Sequence, residues 1–243
     1  MNKNIIEAKN ITLTYTIRSS FSLKKIFTKT ELNSKINKIE ALKGISFDLE
    51  KSKNLGIIGT NGSGKSTLLR VLSKTFAPDI GSLMIDAKKI QLLTLGAGFI
   101  EDLTGRDNLY LNALLLGIPK KDLDNGLAEE IIEFSELEKF IDLPMYTYSS
   151  GMRSRLTFSV SACIRPSLLL LDEVFSVGDA HFKAKSTERI KQMIHSDNSV
   201  VMISHDTKAI EEHCENALWL HKGEVKMTGT SKDVMKEYLE FTK

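Results

Sequence analysis

Residues Gly59-Thr-Asn-Gly-Ser-Gly64-Lys65-Ser66-Thr67 satisfy the pattern G-x-x-x-x-G-K-[ST] at every fixed position. They follow a short apolar run, residues 54–59, and precede a stretch with apolar side chains at Leu68, Leu69, Val71 and Leu72. Strand, glycine-rich loop and helix in that order are the context the pattern requires. Such a loop is built to hold phosphate. Gly59, Gly62 and Gly64 let backbone N–H groups come close to phosphate oxygens, with Thr60, Asn61, Ser63 and Thr67 completing the cradle. The helix N-terminus adds partial positive charge where the phosphates sit. Lys65 supplies a full charge to the outer phosphates, and the Ser66 hydroxyl is a ligand for Mg²⁺.

A second element belongs beside the first. Leu168-Leu-Leu-Leu-Asp172-Glu173 reads as a buried strand that closes with two carboxylates. A strand of an α/β sheet carries such residues to its C-terminal edge, where ligands of these folds bind. Asp172 is expected to hold Mg²⁺, directly or through water, and Glu173 to act as general base on the attacking water.

The rest of the chain supports an α/β fold. Residues 5–17 alternate apolar and polar, and 41–50 read as a second strand. Ser199–Ile203 is another continuous apolar run like Ser167–Leu171. Ala217–Leu220 and Glu224–Met227 flank Lys222-Gly223, a hairpin signal, and a last helix spans about Lys232 to Phe241. Two helix-like stretches within 106–140 divide near Gly117-Ile-Pro119. Between the first two strands, residues 18–39 carry six basic side chains and one acid, Glu31. This segment reads as a solvated insertion loop, with a surface for anionic lipid or a membrane-bound partner as the alternative.

Composition narrows the function classes. With 33 Lys+Arg against 31 Asp+Glu, the 243-residue chain has a formal net charge of +2 and lacks the strongly basic balance of a nucleic-acid binder, so no nucleic-acid partner is expected. Cys163 and Cys214 are far apart and form no CxxC pair, which argues against a disulfide framework or a zinc ribbon. His181, His195, His213 and His221 show no metal-ligand spacing. No secretory leader or membrane-spanning run is evident.

About twenty residues before the acidic strand stands Tyr148-Ser149-Ser150-Gly151-Met152-Arg153, which resembles the LSGGQ signature of the ABC ATPases. Other features follow in that family's order: Ser176-Val-Gly-Asp179 resembles its D-loop, and Ile203-Ser-His205-Asp its switch histidine. Tyr15 sits where the family has the aromatic that stacks on adenine. The resemblance covers essentially the whole chain. It implies one ABC nucleotide-binding domain over residues 1–243, with a P-loop NTPase core sheet, an antiparallel β subdomain and a helical subdomain at about 95–160. It implies ATP and Mg²⁺ as cofactors. It also implies a head-to-tail homodimer in which Ser149, Ser150, Gly151 and Asp179 of one subunit complete the site built by the other's phosphate loop. His205 would then hold the γ-phosphate and orient water.

The basic insertion, Leu95-Gly-Ala-Gly-Phe99, Leu103-Thr-Gly-Arg-Asp-Asn108, Ile131-Ile-Glu-Phe-Ser-Glu-Leu137 and Val177-Gly-Asp-Ala-His-Phe182 are similar to the ATPase subunits that export O-antigen, capsule and teichoic acid. That group implies an integral-membrane permease docked against residues 95–145, a lipid-linked polysaccharide as cargo, and a peripheral location on the cytoplasmic face of the bacterial inner membrane. The rival reading is a soluble ABC ATPase uncoupled from transport. One departure stands out. Most ABC ATPases carry a glutamine before the Leu-Thr segment, yet Gln91 and Gln192 are the only glutamines here and neither stands at that distance from Leu103-Thr104. Its substitute is expected within Leu95–Phe99. The chain also ends soon after its last helix, so no C-terminal carbohydrate-binding domain is expected.

Overall fold

The structure is a computed structural model that describes residues 3–18, 36–93, 98–172 and 180–242. Strands β1 (Asn4–Arg18), β2 (Ile36–Glu50), β3 (Asn54–Ile58), β4 (Ile80–Ile85), β5 (Ile90–Leu93), β6 (Leu168–Asp172), β7 (Ser199–Ile203), β8 (Asn216–His221) and β9 (Glu224–Thr230) form two sheets. One is antiparallel, in the order β2-β1-β4. The other runs β5-β6-β7-β3-β8-β9, parallel except for β9 at its edge.

The parallel strands read as unbroken apolar runs because both of their faces are covered. In β6, Leu168 and Leu170 enter a core shared with the antiparallel sheet and helix α1 (Lys65–Leu72). Leu169 and Leu171 enter the core on the opposite face, under α5 (Ala180–Ile194), α6 (Thr207–His213) and α7 (Ser231–Phe241). Val201 and Ile203 of β7 alternate with Val200 and Met202 in the same way.

A third core lies among helices α2 (Gly105–Leu115), α3 (Ala128–Ser135) and α4 (Ser150–Ala162). Thr104 starts α2 with a capping box, accepting from the Asp107 N–H at 3.0 Å while the Asp107 carboxylate accepts from the Thr104 N–H at 3.4 Å. A helical turn at Lys120–Asp122 leads into α3 through a segment kinked at Gly126, where φ is 112°.

Two expectations change here. The second strand begins at Ile36, not at residue 41, and the first runs to Arg18, so both ends of the expected basic insertion are paired strand. Residues 19–35, which hold most of its charge, lie outside the described residues. Strands β4 and β5 were not expected. β4 (IGSLMI) is a largely exposed edge strand opened by Gly81, and β5 has only four residues, so neither carries a periodicity that composition alone reveals. Both cysteines are free thiols, and burial pushes Cys163 up to about 11 and Cys214 up to about 12.

Candidate functional site

The parallel register brings three strand ends to one edge. Ile57 of β3 pairs with Ile203 of β7, and Ile203 is also the partner of Asp172 in β6. The phosphate loop leaving β3, the carboxylate ending β6 and the Ser204-His205 segment leaving β7 are therefore neighbours. Asp172 is half-buried and His205 exposed, and both make interactions within the described residues. The buried Ser204 hydroxyl accepts from the Asp206 N–H at 3.0 Å, and Asp206 caps α6 by accepting from Lys208 N–H at 2.9 Å. These bonds fix the turn that presents His205.

Within the loop, backbone geometry explains the glycines. Gly64, the N-cap of α1, has φ 106°, and a methyl there would stand 2.7 Å from the Ala41 carbonyl oxygen. A methyl on Gly59 would collide with the Leu220 carbonyl. No side chain caps α1, and its N-terminus is the kind of helix end that accommodates an anion. Lys65 is buried and its ammonium donates to the carbonyls of Gly59 at 2.8 Å and Thr60 at 3.1 Å, which curls the loop around it. Ser66 and Thr60 are exposed. These features fit a nucleotide's phosphates: a helix N-terminus, a cradle that side chains would fill, and a cation at its base. The oxygen donors Ser66 and Asp172 suit a hard cation such as Mg²⁺, which keeps water and phosphate ligands. Among the described residues, no group of three or more His, Cys, Asp or Glu side chains could hold a metal by itself.

A cavity of about 480 Å³ opens over the loop. Tyr15, Asn61, Gly62, Gly64, Lys65, Ser66 and Thr67 line it, and Gly59, Thr60 and Ser63 do not. The Tyr15 and Thr67 hydroxyls are hydrogen-bonded at 3.2 Å, and Phe76 meets the Tyr15 ring edge-on at 6.0 Å. Five further lining residues escaped the sequence reading: Ile39, Glu40 and Ala41 of β2, and Lys222-Gly223 of the β8–β9 turn. The turn is fastened to the loop, with Gly223 N–H donating to the Ser63 carbonyl at 3.0 Å and Lys43 N–H to the Gly223 carbonyl at 2.8 Å. The Lys-Gly hairpin signal was visible, but not its contact with residues so distant in sequence.

Ser149, Ser150 and Gly151 do not line this cavity. They form the N-terminus of α4, where the Ser149 hydroxyl accepts from the Met152 N–H at 3.2 Å and both serines are exposed. Just before them, the Tyr148 phenol donates to the Phe140 carbonyl at 2.7 Å, and burial pushes it up to about 12. Arg153 reaches from α4 to Glu101 at 2.7 Å. Glu173 and Asp179 lie outside the described residues, as do residues 95–97 of the segment expected to replace the missing glutamine. Gln91 is a buried strut of β5, donating to the Ser161 carbonyl of α4 at 2.7 Å.

Beside that strut, Leu92, Gly98, Phe99, Asn112, Leu115, Leu116, Thr157, Val160 and Ser161 line a mostly apolar groove of about 190 Å³. Leu115 at its rim is 74% exposed, with Ile100 and Leu114 also exposed.

A profile described as ABC transporter matches residues 42–176, from β2 through the phosphate loop and signature to just beyond the acidic strand. The chain belongs to the ABC transporter family. Nucleotide binding follows from that membership. The O-antigen export system ATP-binding protein RfbB of Klebsiella pneumoniae is 38% identical over 82% of the chain and 80% of that relative. A Myxococcus xanthus protein of the same name is 41% identical over 83% of the chain, and the teichoic acids export ATP-binding protein TagH of Enterococcus faecalis 38% over 90%. The chain covers 46% and 48% of these last two, so it spans about half the length of such relatives. Among solved structures, an ATP-binding subunit of an ABC transporter superposes with a TM-score of 0.72 at 19% identity, covering 98% of this chain and all of that one. A dimeric post-hydrolysis ATP-binding cassette bound to ADP and Pi gives 0.68 at 22% identity, covering 93% and 98%. At these identities the likeness concerns the ABC fold alone.

Proposed function

We propose that this ABC chain is the ATP-hydrolysing motor subunit of a membrane transporter that exports a lipid-linked polysaccharide across the bacterial cytoplasmic membrane. O-antigen, capsule and teichoic acid are the cargo classes in view. The observation that carries the hydrolytic half is the shared sheet edge, where the phosphate loop, Asp172 and His205 converge. In this reading the first-turn N–H groups of α1 and the Lys65 ammonium bind the outer phosphates, and the Tyr15 ring supports adenine. Ser66 and Asp172 hold Mg²⁺, which supplies neutralisation of phosphate charge when bound. Glu173 accepts the proton of the attacking water, and His205 orients the γ-phosphate.

The exposed N-terminus of α4 is half of a site. Its helix-end N–H groups and serine hydroxyls suit an anion, yet they do not line this chain's own cavity. A second copy arranged head to tail completes the site with Ser149, Ser150, Gly151 and Asp179. Closure of the pair on ATP does work through the differential affinity of nucleotide for the closed state. The apolar groove beside Leu115 suits a permease segment, because exposed apolar surface of this kind marks interaction sites. No helix among the described residues is long and apolar enough to cross a membrane; in this reading the chain is a peripheral subunit on the cytoplasmic face. The names of the RfbB and TagH relatives support the polysaccharide cargo.

Two measurements test this reading. Glu173→Gln is expected to lower ATP turnover by roughly 10²–10⁴-fold while ATP binding survives, the usual weight of a general base. Undiminished turnover would refute the assigned chemistry. A tagged chain purified from detergent-solubilised membranes of its host is expected to bring down a multi-span membrane protein in equal amount. Recovery with ribosomes, DNA or a soluble scaffold alone would overturn transport and favour an uncoupled ABC ATPase.

A further inference from the structure

We propose that Lys222, at the tip of the β8–β9 hairpin, is a further nucleotide-binding residue whose ammonium faces the phosphate charge in the cavity over the phosphate loop. The inference rests on the nucleotide reading of that loop and adds a residue from outside the loop, the acidic strand and the signature.

His221 pairs with Glu224, so Lys222 and Gly223 alone make the turn. Both are left-handed, with φ 50° at Lys222 and 85° at Gly223, the pattern of the two-residue turn that matches strand twist. Asparagine or glycine is the favoured residue at the first of these positions, because a longer side chain meets its own backbone there. Lysine is a poor choice for the turn alone. Its position supplies another reason. Lys222 lines the same cavity as Asn61, Gly62, Lys65 and Ser66. The turn is held against the phosphate loop by the Gly223–Ser63 and Lys43–Gly223 backbone bonds, so the lysine is carried by a rigid support. The Lys222 side chain is exposed and pairs with no acid among the described residues, although Glu40 lines the same cavity. A solvent-exposed ammonium at the mouth of a phosphate site attracts polyanions through solvent, and salt weakens that attraction.

The turn itself provides the control. Lys222→Asn installs a residue that the backbone prefers, so the fold is kept while the charge is removed. Lys222→Arg keeps the charge. The full-length chain is titrated calorimetrically with a non-hydrolysable ATP analogue and Mg²⁺ at low and at high salt. Lys222→Asn is expected to weaken binding by about 3–10-fold at low salt, the scale of one solvated charge near a polyanion. The gap should narrow at high salt, Lys222→Arg should bind like the unaltered chain, and the melting temperature of Lys222→Asn should not fall. Unaltered affinity in Lys222→Asn overturns the proposal and leaves the phosphate-loop reading intact. A loss that ignores salt, or that Lys222→Arg shares, overturns the charge assignment. If the unaltered chain binds no nucleotide, the reading of the loop fails and the proposal fails with it.

Discussion

The sheet edge that carries the phosphate loop and the helical arm that carries the signature are held by different forces. At the sheet edge, β3, β6 and β7 are buried on both faces, and Leu168, Leu170, Val201 and Ile203 are fully enclosed. The arm has its own smaller core, and ion pairs open to water join its parts across the rim. Arg106 joins Glu129 and Asp142 at 2.7 Å each, and Arg153 joins Glu101 with both side chains partly exposed. The arm's rim also leaves Leu115, Phe140 and Tyr146 exposed. Dense apolar packing resists displacement, whereas solvated ion pairs typically contribute less than about 1 kcal/mol and are readily exchanged. The sheet edge with the phosphate loop is thus tightly packed, and α4 is anchored to it through Phe158 and Ala162, whereas the arm's outer rim is joined within itself by weak, replaceable contacts.

The largest expected effect breaks the rigid side of this contrast. Leu170→Ala leaves a cavity between the two sheets and should destabilise the chain by about 2–5 kcal/mol, as such truncations do when the surroundings relax only in part. Leu115→Ala, at a side chain 74% exposed, should change stability by less than about 0.5 kcal/mol. Its effect should fall on co-purification of the proposed membrane partner. Urea unfolding of both variants measures the difference directly. Equal losses of stability would mean that the arm's rim is packed like the core.

The same contrast explains what could be read from the sequence. The phosphate loop and the acidic strand were legible because each residue type is demanded locally: left-handed glycine at Gly64, and continuous apolar runs where both faces are covered. A helix near 106 was legible, but the capping box of Thr104 and Asp107 that starts α2 emerged only with the structure. β4 and β5 were missed because an exposed edge strand and a four-residue strand are fixed by their partners, not by their own periodicity. The contributions of Ala41, Lys222 and Gly223 to the cavity depend on long-range closure of a hairpin onto the loop, and no local pattern encodes it. Gln91 was already set aside by its distance from Leu103-Thr104, and the role it does have, a buried bond from β5 to Ser161, is not encoded by any local pattern.

A smaller effect sharpens the comparison on the arm's side. Backbone bonds lace the segment before α2 to the one before α4: Met145 N–H donates to the Leu103 carbonyl at 2.9 Å and Tyr146 N–H to the Glu101 carbonyl at 3.1 Å. Arg153 then ties α4 back to the Glu101 carboxylate. This makes the pair a positioning contact between the groove's edge and the signature, not a source of stability. Arg153→Gln should shift stability by less than about 1 kcal/mol. It should lower kcat several-fold while KM for ATP stays within about twofold, since the arm's aim matters to closure more than to nucleotide capture. The double exchange Glu101→Arg with Arg153→Glu should recover part of the loss. A matching change in KM, or no recovery, would mean that Arg153 acts on nucleotide binding itself.

The smallest expected effect concerns pH and returns to the buried face of the sheet. His213, at the end of α6, is buried, and its Nδ1 has no hydrogen-bond partner. Burial lowers its pKa below the ordinary 6.5; His195 and Lys191 act in the same direction, and Glu212 opposes them. The folded chain therefore holds this imidazole neutral, whereas the unfolded chain takes up a proton as pH falls below about 6.5. The unfolded state binds more protons in that window, so stability should be fully present above it and decline as the solution is acidified through it. His213→Asn removes the titration and should flatten the difference between urea unfolding at pH 8 and at pH 5.5. The other four histidines remain in both proteins, so the comparison bears on His213 and on the His195 ring that meets it edge-on at 5.4 Å. An unchanged slope in the variant would mean that His213 admits a proton without loss, and that the α6 end of the core is as open to water as the arm.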